Sequence, residues 1–156
     1  MITINVPGWG TLQLENIVLD FNGTMAEDGR LIEGVEELLN QLAELLNVYV
    51  LTADTFGTSQ EACRNIKCKL YTLSGSLTGQ EKLHFVQQLG TDKTVAVGNG
   101  NNDCHMLQAC ALGIVVMGRE GTACKAIQSG DILARSINDA LELLLNSKRI
   151  VASLRL

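Results

Sequence analysis

The 156-residue sequence has no apolar run long enough to cross a bilayer, because charged residues interrupt every one. Its N-terminus, MITINVPGWG, has neither a basic stretch nor a long apolar core, so it does not read as a signal peptide. Cysteines in metal or redox spacing are also missing. The five present, Cys63, Cys68, Cys104, Cys110 and Cys124, are odd in number and include no C-x-x-C pair. That argues against a disulfide scaffold or a zinc site and favours reduced thiols in a cytoplasm. Basic residues are few: 12 against 17 acidic ones, a net charge of −5 with no basic patch. Nucleic acid and anionic membranes are therefore not the expected partners. Repeats, low-complexity stretches and a Pro/Ser-rich linker are absent, and the length suits one domain over residues 1–156.

Apolar residues are plentiful, at 46%, well above a disordered composition. They fall into short β-rich runs that alternate with helical patterns. TINV and TLQL, separated by Pro7-Gly8-Trp9-Gly10, read as an opening hairpin. NIVLDF is a buried strand, and from Val35 the positions Leu38, Leu39, Leu42, Leu45 and Leu46 recur at helical spacing. Further strands are predicted at NVYVLT, KLYTL, TVAVGN, GIVVM and DILA, with helices over 59–66, 80–89, 103–111, 122–129 and 137–145. The C-terminal SKRIVASLRL is amphipathic and is expected to pack on the domain. Such β–α alternation predicts an α/β domain with a parallel sheet covered on both faces. In these sheets ligands bind outside the carboxyl ends of the strands.

The residues just after each strand are therefore the candidates for chemistry. Asp20, Asn22 and Thr24 follow NIVL, and Thr52 and Asp54 end the next strand. Lys82 precedes the Leu83 helix, and GNGNND, Gly98 to Asp103, follows TVAV. Singly, each has an ordinary reading: an Asp caps a helix or turn, a lysine is solvated, and a Gly-rich stretch is a turn. Asp54 either caps the following helix or lines the site. His84 and His105 read as surface helix positions, and Cys104 as a small packed residue. Capping does not explain Asp20, Thr52, Lys82 and Asp103 together, each at a strand end. A phosphate with Mg²⁺ uses all four types. A carboxylate can attack phosphorus, hard oxygens suit Mg²⁺, hydroxyls and backbone N–H groups bind phosphoryl oxygens, and a lysine offsets their charge.

On those residues the chain resembles the haloacid dehalogenase superfamily, and within it the phosphorylation domain of P-type ATPases and its small soluble relatives. DFNGT resembles the first motif, VLTAD the second, Lys82 the third-motif lysine, and VGNGNND the fourth. The resemblance implies a Rossmann-like three-layer sandwich with a mainly parallel sheet, a flap hairpin near residues 25–31, and no cap domain. It also implies that Asp20 is the nucleophile, and that Thr52, Ala53, Gly23 and Lys82 bind phosphate. Mg²⁺ would be held by Asp20, the carbonyl of Asn22, Asn99 and Asp103. Relatives without a cap often oligomerise, and the resemblance extends that expectation to this chain.

Two departures bear on activity. Asn22 stands where hydrolytic members carry an acid/base Asp, and Asn99 where the fourth motif has its first Asp. An amide cannot exchange a proton as a carboxyl does, and general acid/base catalysis is typically worth about 10²–10⁴-fold. The implied activity is a Mg²⁺-dependent phosphohydrolase or phosphotransferase, slowed at Asn22, acting on a phosphorylated small molecule or a phosphoprotein. The alternative is a weakly active or inactive regulatory module that binds Mg²⁺ and phosphate. Both amides precede glycine, a pairing prone to deamidation, which would turn Asn22 into an acid.

Overall fold

The computed structural model describes residues 1–53, 57–76 and 78–156. Asp54 lies outside the described residues. Period-2 alternation builds the opening hairpin, β1 (Ile2–Val6) and β2 (Gly10–Leu14). Ile2, Ile4, Val6, Leu12 and Leu14 face inward while Thr3, Asn5 and Gln13 face water. After β3 (Asn16–Asp20) comes a second, very short hairpin of β4 (Ala26–Glu27) and β5 (Arg30–Leu31). Its turn residues Asp28 and Gly29 have φ of 49° and 77°, the left-handed pair that a type I′ turn demands.

The chain then alternates as the sequence pattern predicts. α1 (Val35–Leu42) leads to β6 (Asn47–Thr52), α2 (Thr58–Ala62), β7 (Lys69–Thr72) and α3 (Thr78–Leu89). β8 (Thr94–Gly98), α4 (Cys104–Ala109), β9 (Leu112–Val116), α5 (Cys124–Ser129) and β10 (Ile132–Ala134) follow. The chain closes with α6 (Ile137–Leu145) and α7 (Lys148–Leu154). Six strands form one all-parallel sheet in the order β10-β9-β8-β3-β6-β7. Strand order reverses at β3, which pairs with β6 on one side and β8 on the other. This switch point is where open α/β sheets place their ligands.

Alternation along the strands sends Ile17, Leu19, Val48, Val50, Val95 and Val97 to the face covered by α1 and α6. Val18, Tyr49, Leu51, Ala96 and Val115 go to the face covered by α3, α4 and α5. Burial of each large side chain contributes about 1.5–3 kcal/mol, so the register is strongly specified on both faces. Among the described residues the connections from β3 to β6 and from β6 to α3 hold only the small hairpin and α1, and α2 and β7. They carry no cap domain. No helix of the described residues is long and apolar enough to cross a membrane.

Some helix bounds differ from the sequence expectation: α1 stops at Leu42, short of Leu45 and Leu46. α2 ends at Ala62 and does not run to residue 66, because the Asn40 side chain takes the backbone that follows. Asn40 donates to the Asn65 carbonyl (3.0 Å) and accepts from Lys67 N–H (2.8 Å). As expected, the amphipathic C-terminus packs on the domain: it forms the helix α7, with Ile150 buried in the core beside β1.

Candidate active site

Asp20 ends β3 on the same face as Val18, because residues two apart on a strand share a face. Lys82, from the second turn of α3, reaches into that face and is 1% exposed. Its Nζ lies 2.5 Å from Asp20 Oδ1 and 2.7 Å from Asp103 Oδ1. A lysine is almost never buried without a partner, and this one has two. Asp103, fully buried, is set by the turn after β8: its Oδ2 accepts the N–H of Asn99 (3.0 Å) and of Gly100 (2.9 Å). Those bonds open the expected helix 103–111 with a 3₁₀ turn, Asn101–Asp103, before α4 begins. Gly98 gives the carboxylate its room, since a Cβ there would lie 2.5 Å from Asp103 Cγ.

Thr24 joins the three segments. Its Oγ1 is 3.2 Å from Asp20 Oδ2 and 3.2 Å from Asn99 Oδ1. Asn99 is oriented by its Nδ2, which donates to the Gly121 carbonyl at 3.0 Å. One hydroxyl hydrogen thus serves two acceptors, leaving a convergence of oxygens short of protons. Such a set of oxygens, with the Asp103 carboxylate on the same lysine, fits a hard dication that keeps part of its water, as Mg²⁺ does. Among the described residues no group of three or more His, Cys, Asp or Glu side chains is placed to hold a metal. The oxygen set therefore depends on the Asn99 amide and the Thr24 hydroxyl beside its two carboxylates.

Thr52 is buried at the end of β6, where its carbonyl accepts Leu73 N–H at 2.7 Å, and Ala53 beyond it is exposed. Asn22 is exposed at the start of the loop after β3. Gly23 has φ of 75°, and its N–H is bonded to the Ala26 carbonyl (2.9 Å). It must leave that carbonyl to reach a phosphate. Gly100 N–H is likewise held, by Asp103. Ring closure onto Asn22 or Asn99 needs those two nitrogens, so the fold works against deamidation at both. His84 and His105 are exposed, as expected, and all five cysteines are free thiols. Thr24 as a bridge, Gly98 as a space and the loop after β9 are the parts that sequence reasoning did not single out.

Burial, then the nearby charge of Asp103, push Asp20 up to about 6, against the pull of Lys82. Burial alone would lower Lys82, but Asp20 and Asp103 outweigh it and hold the lysine above its ordinary value. The folded protein thus binds the Asp20 proton more tightly than the unfolded chain, where the ordinary value is 3.8. The stability this contributes is complete below about 3.8 and is lost as pH rises through about 6. In EDTA, wild-type stability relative to Asp20→Asn is expected to fall by on the order of 2 kcal/mol between pH 4 and pH 7.5. Urea unfolding at the two pH values checks it, and a constant difference would contradict the burial of this charge.

No protein-family model matches the chain. It is 46% identical over 78 residues to the uncharacterized protein MJ0073 of Methanocaldococcus jannaschii, covering 47% of this chain and 84% of that protein. Among solved structures, a putative haloacid dehalogenase superfamily (subfamily III A) hydrolase from Legionella pneumophila superposes with a TM-score of 0.72 at 12% identity. The match covers 90% of this chain and 87% of that one. The 3-deoxy-D-manno-octulosonate 8-phosphate phosphatase of Moraxella catarrhalis, solved with magnesium, phosphate and its sugar acid, gives a TM-score of 0.68 at 13% identity. That match covers 91% and 94%.

Proposed function

Because the chain belongs to one family with MJ0073 and has the haloacid dehalogenase fold, we propose that it is a Mg²⁺-dependent phosphohydrolase or phosphotransferase working through an aspartyl phosphate on Asp20. The observation that carries this reading is the lysine shared by two buried carboxylates at the switch point of the sheet. Ion clusters of this kind are a poor source of stability, and perturbed carboxylates gather at functional sites.

Asp20 attacks phosphorus, forming an Asp20 O–P bond as the bond to the leaving oxygen breaks. Lys82 holds the attacking carboxylate and offsets the negative charge. Thr52 and the N–H groups of Ala53 and Gly23 bind the phosphoryl oxygens. Asp20, the Asn22 carbonyl, Asn99 and Asp103 would hold Mg²⁺, which would supply further charge neutralisation when bound. Water then attacks the phosphorus, the bond to Asp20 breaks, and phosphate leaves. Asn22 can neither donate nor accept the proton in these steps, so the leaving group and the attacking water exchange protons with solvent. A phosphorylated small molecule is the substrate class, in keeping with the sugar phosphate named for the Moraxella structure. The free thiols suit a cytoplasm.

The exposed amide of Asn22 favours a second reading. In it the chain is a weakly active or inactive regulatory module that binds Mg²⁺ and phosphate and releases the phosphoryl group slowly, resembling a soluble P-type ATPase phosphorylation domain. Steady-state phosphate release from acetyl phosphate and p-nitrophenyl phosphate tests the enzyme reading. It is expected to require Mg²⁺, to stop in EDTA, and to fall by about 10³-fold or more in Asp20→Asn. Release that persists in Asp20→Asn contradicts it.

A further inference from the structure

The β4–β5 hairpin is too small to hold its own shape. It has two ladder pairs, Ala26↔Leu31 and Glu27↔Arg30, and even longer isolated hairpins are marginal in water. Its base is secured by buried Ala26 and by Ile32 N–H, which donates to the Met25 carbonyl at 3.0 Å. Its tip is exposed and borders an open cleft of about 740 Å³. At that tip Asp28 N–H donates to Glu120 Oε1 at 3.1 Å.

Glu120 lies in the loop between β9 and α5, and that loop is fixed to the site. Asn99 Nδ2 bonds the Gly121 carbonyl (3.0 Å), and Ala123 N–H bonds the Asn99 carbonyl (2.9 Å). Thr122 Oγ1 closes the loop on Val116 O at 2.9 Å. The same carboxylate also rests on the loop after β3. A Cβ added at Gly23 would lie 3.0 Å from Glu120 Oε2 and 2.7 Å from Asn99 Nδ2. Glycine at position 23 is what lets Glu120 and Asn99 close in together. One carboxylate therefore spans the hairpin tip and the loop that carries Asn22, from a base anchored to Asn99. The neighbouring Arg119–Glu27 pair is 3.8 Å long, with the Arg119 side chain 90% exposed, so it adds little.

We propose that Glu120 is a positioning residue that latches the β4–β5 hairpin against the Asp20 loop and so sets how the site receives the leaving group of a phosphate ester. It acts through the hairpin and is not a catalytic residue. The second half of the proposal rests on the phosphotransfer reading. The first half is a statement about the fold alone, and the experiment separates them.

Amide hydrogen exchange at Asp28, read by NMR, tests the latch in wild type, Glu120→Ala, Glu120→Gln and Arg119→Ala. Glu120→Ala is expected to speed Asp28 exchange by about five- to tenfold, the loss of one hydrogen bond. Glu120→Gln keeps an acceptor oxygen and is expected to exchange as wild type, as is Arg119→Ala. In kinetics, Glu120→Ala is expected to raise KM for p-nitrophenyl phosphate by about five- to tenfold, with kcat unchanged. KM for acetyl phosphate, whose leaving group is small, is expected to stay as in wild type. Unchanged exchange in Glu120→Ala would overturn the latch. Faster exchange with KM unmoved for both donors would overturn its positioning role. Wild type inactive on both donors would sink the phosphotransfer reading instead, and the exchange rates would still decide the latch.

Discussion

Asn22→Asp is expected to raise phosphate turnover by about 10²–10⁴-fold, the usual contribution of general acid/base catalysis. The loop after β3 is held by its backbone. The Phe21 carbonyl accepts the N–H groups of Thr24 (3.3 Å), Met25 (3.1 Å) and Ala26 (3.1 Å), and Gly23 N–H bonds Ala26. The Asn22 side chain is exposed and takes no part in that set, so a carboxyl can replace it without moving the loop. Asn99→Asp is different. It adds a charge that strengthens Mg²⁺ binding, but it replaces the Nδ2 donor with an oxygen facing the Gly121 carbonyl. That costs about 1–3 kcal/mol of stability. The double variant should therefore turn over far faster than wild type, with the gain in kcat traced to position 22 and the gain in Mg²⁺ affinity to position 99. Separate kcat and Mg²⁺ titrations of the two single variants check this division. A double variant no faster than wild type would count against an enzymatic role.

Lys82→Met is expected to destabilise the fold by about 3–5 kcal/mol, because it strands two buried carboxylates beside each other. The side chains involved are at most 11% exposed, so water cannot take the place of the ammonium. For a chain of this size the melting temperature should fall by roughly 6–20 °C. Asp20→Asn in the Lys82→Met background should recover a large part of that loss, since one of the two stranded charges is gone. Melting curves of the two single variants and the double variant give the coupling. Additive effects would mean that the lysine and the aspartate do not share the interaction seen in the structure.

The strand-end rule made Asp20 and Asp103 legible in the sequence, because a parallel sheet gathers the carboxyl ends of its strands at one edge; Lys82 reaches them from the second turn of α3 and not from a strand end. The apolar alternation of β3, β6 and β8 likewise reveals two covered faces. Thr24 was visible as a strand-end residue, but its bridge between Asp20 and Asn99 spans 75 positions of sequence on one side and has no local pattern. The shortening of α2 depends on the amide of Asn40, 25 residues away. Nothing in the periodicity of residues 59–66 announces it. Glu120 was within reach of the same rule, since it follows β9 as Asn99 follows β8. The residues before it, Met117, Gly118 and Arg119, belong to none of the motifs that carry the resemblance. Its contacts with Asp28 and Gly23 come from chain segments about a hundred residues earlier in the sequence.

The most direct test of the aspartyl-phosphate reading is the intact mass of freshly purified protein mixed with Mg²⁺ and acetyl phosphate, beside an Asp20→Ala control. A lasting adduct of one phosphoryl group, absent from the control and removed faster in Asn22→Asp, is the expected result. A wild type that shows neither an adduct nor phosphate release in the same tube would contradict it.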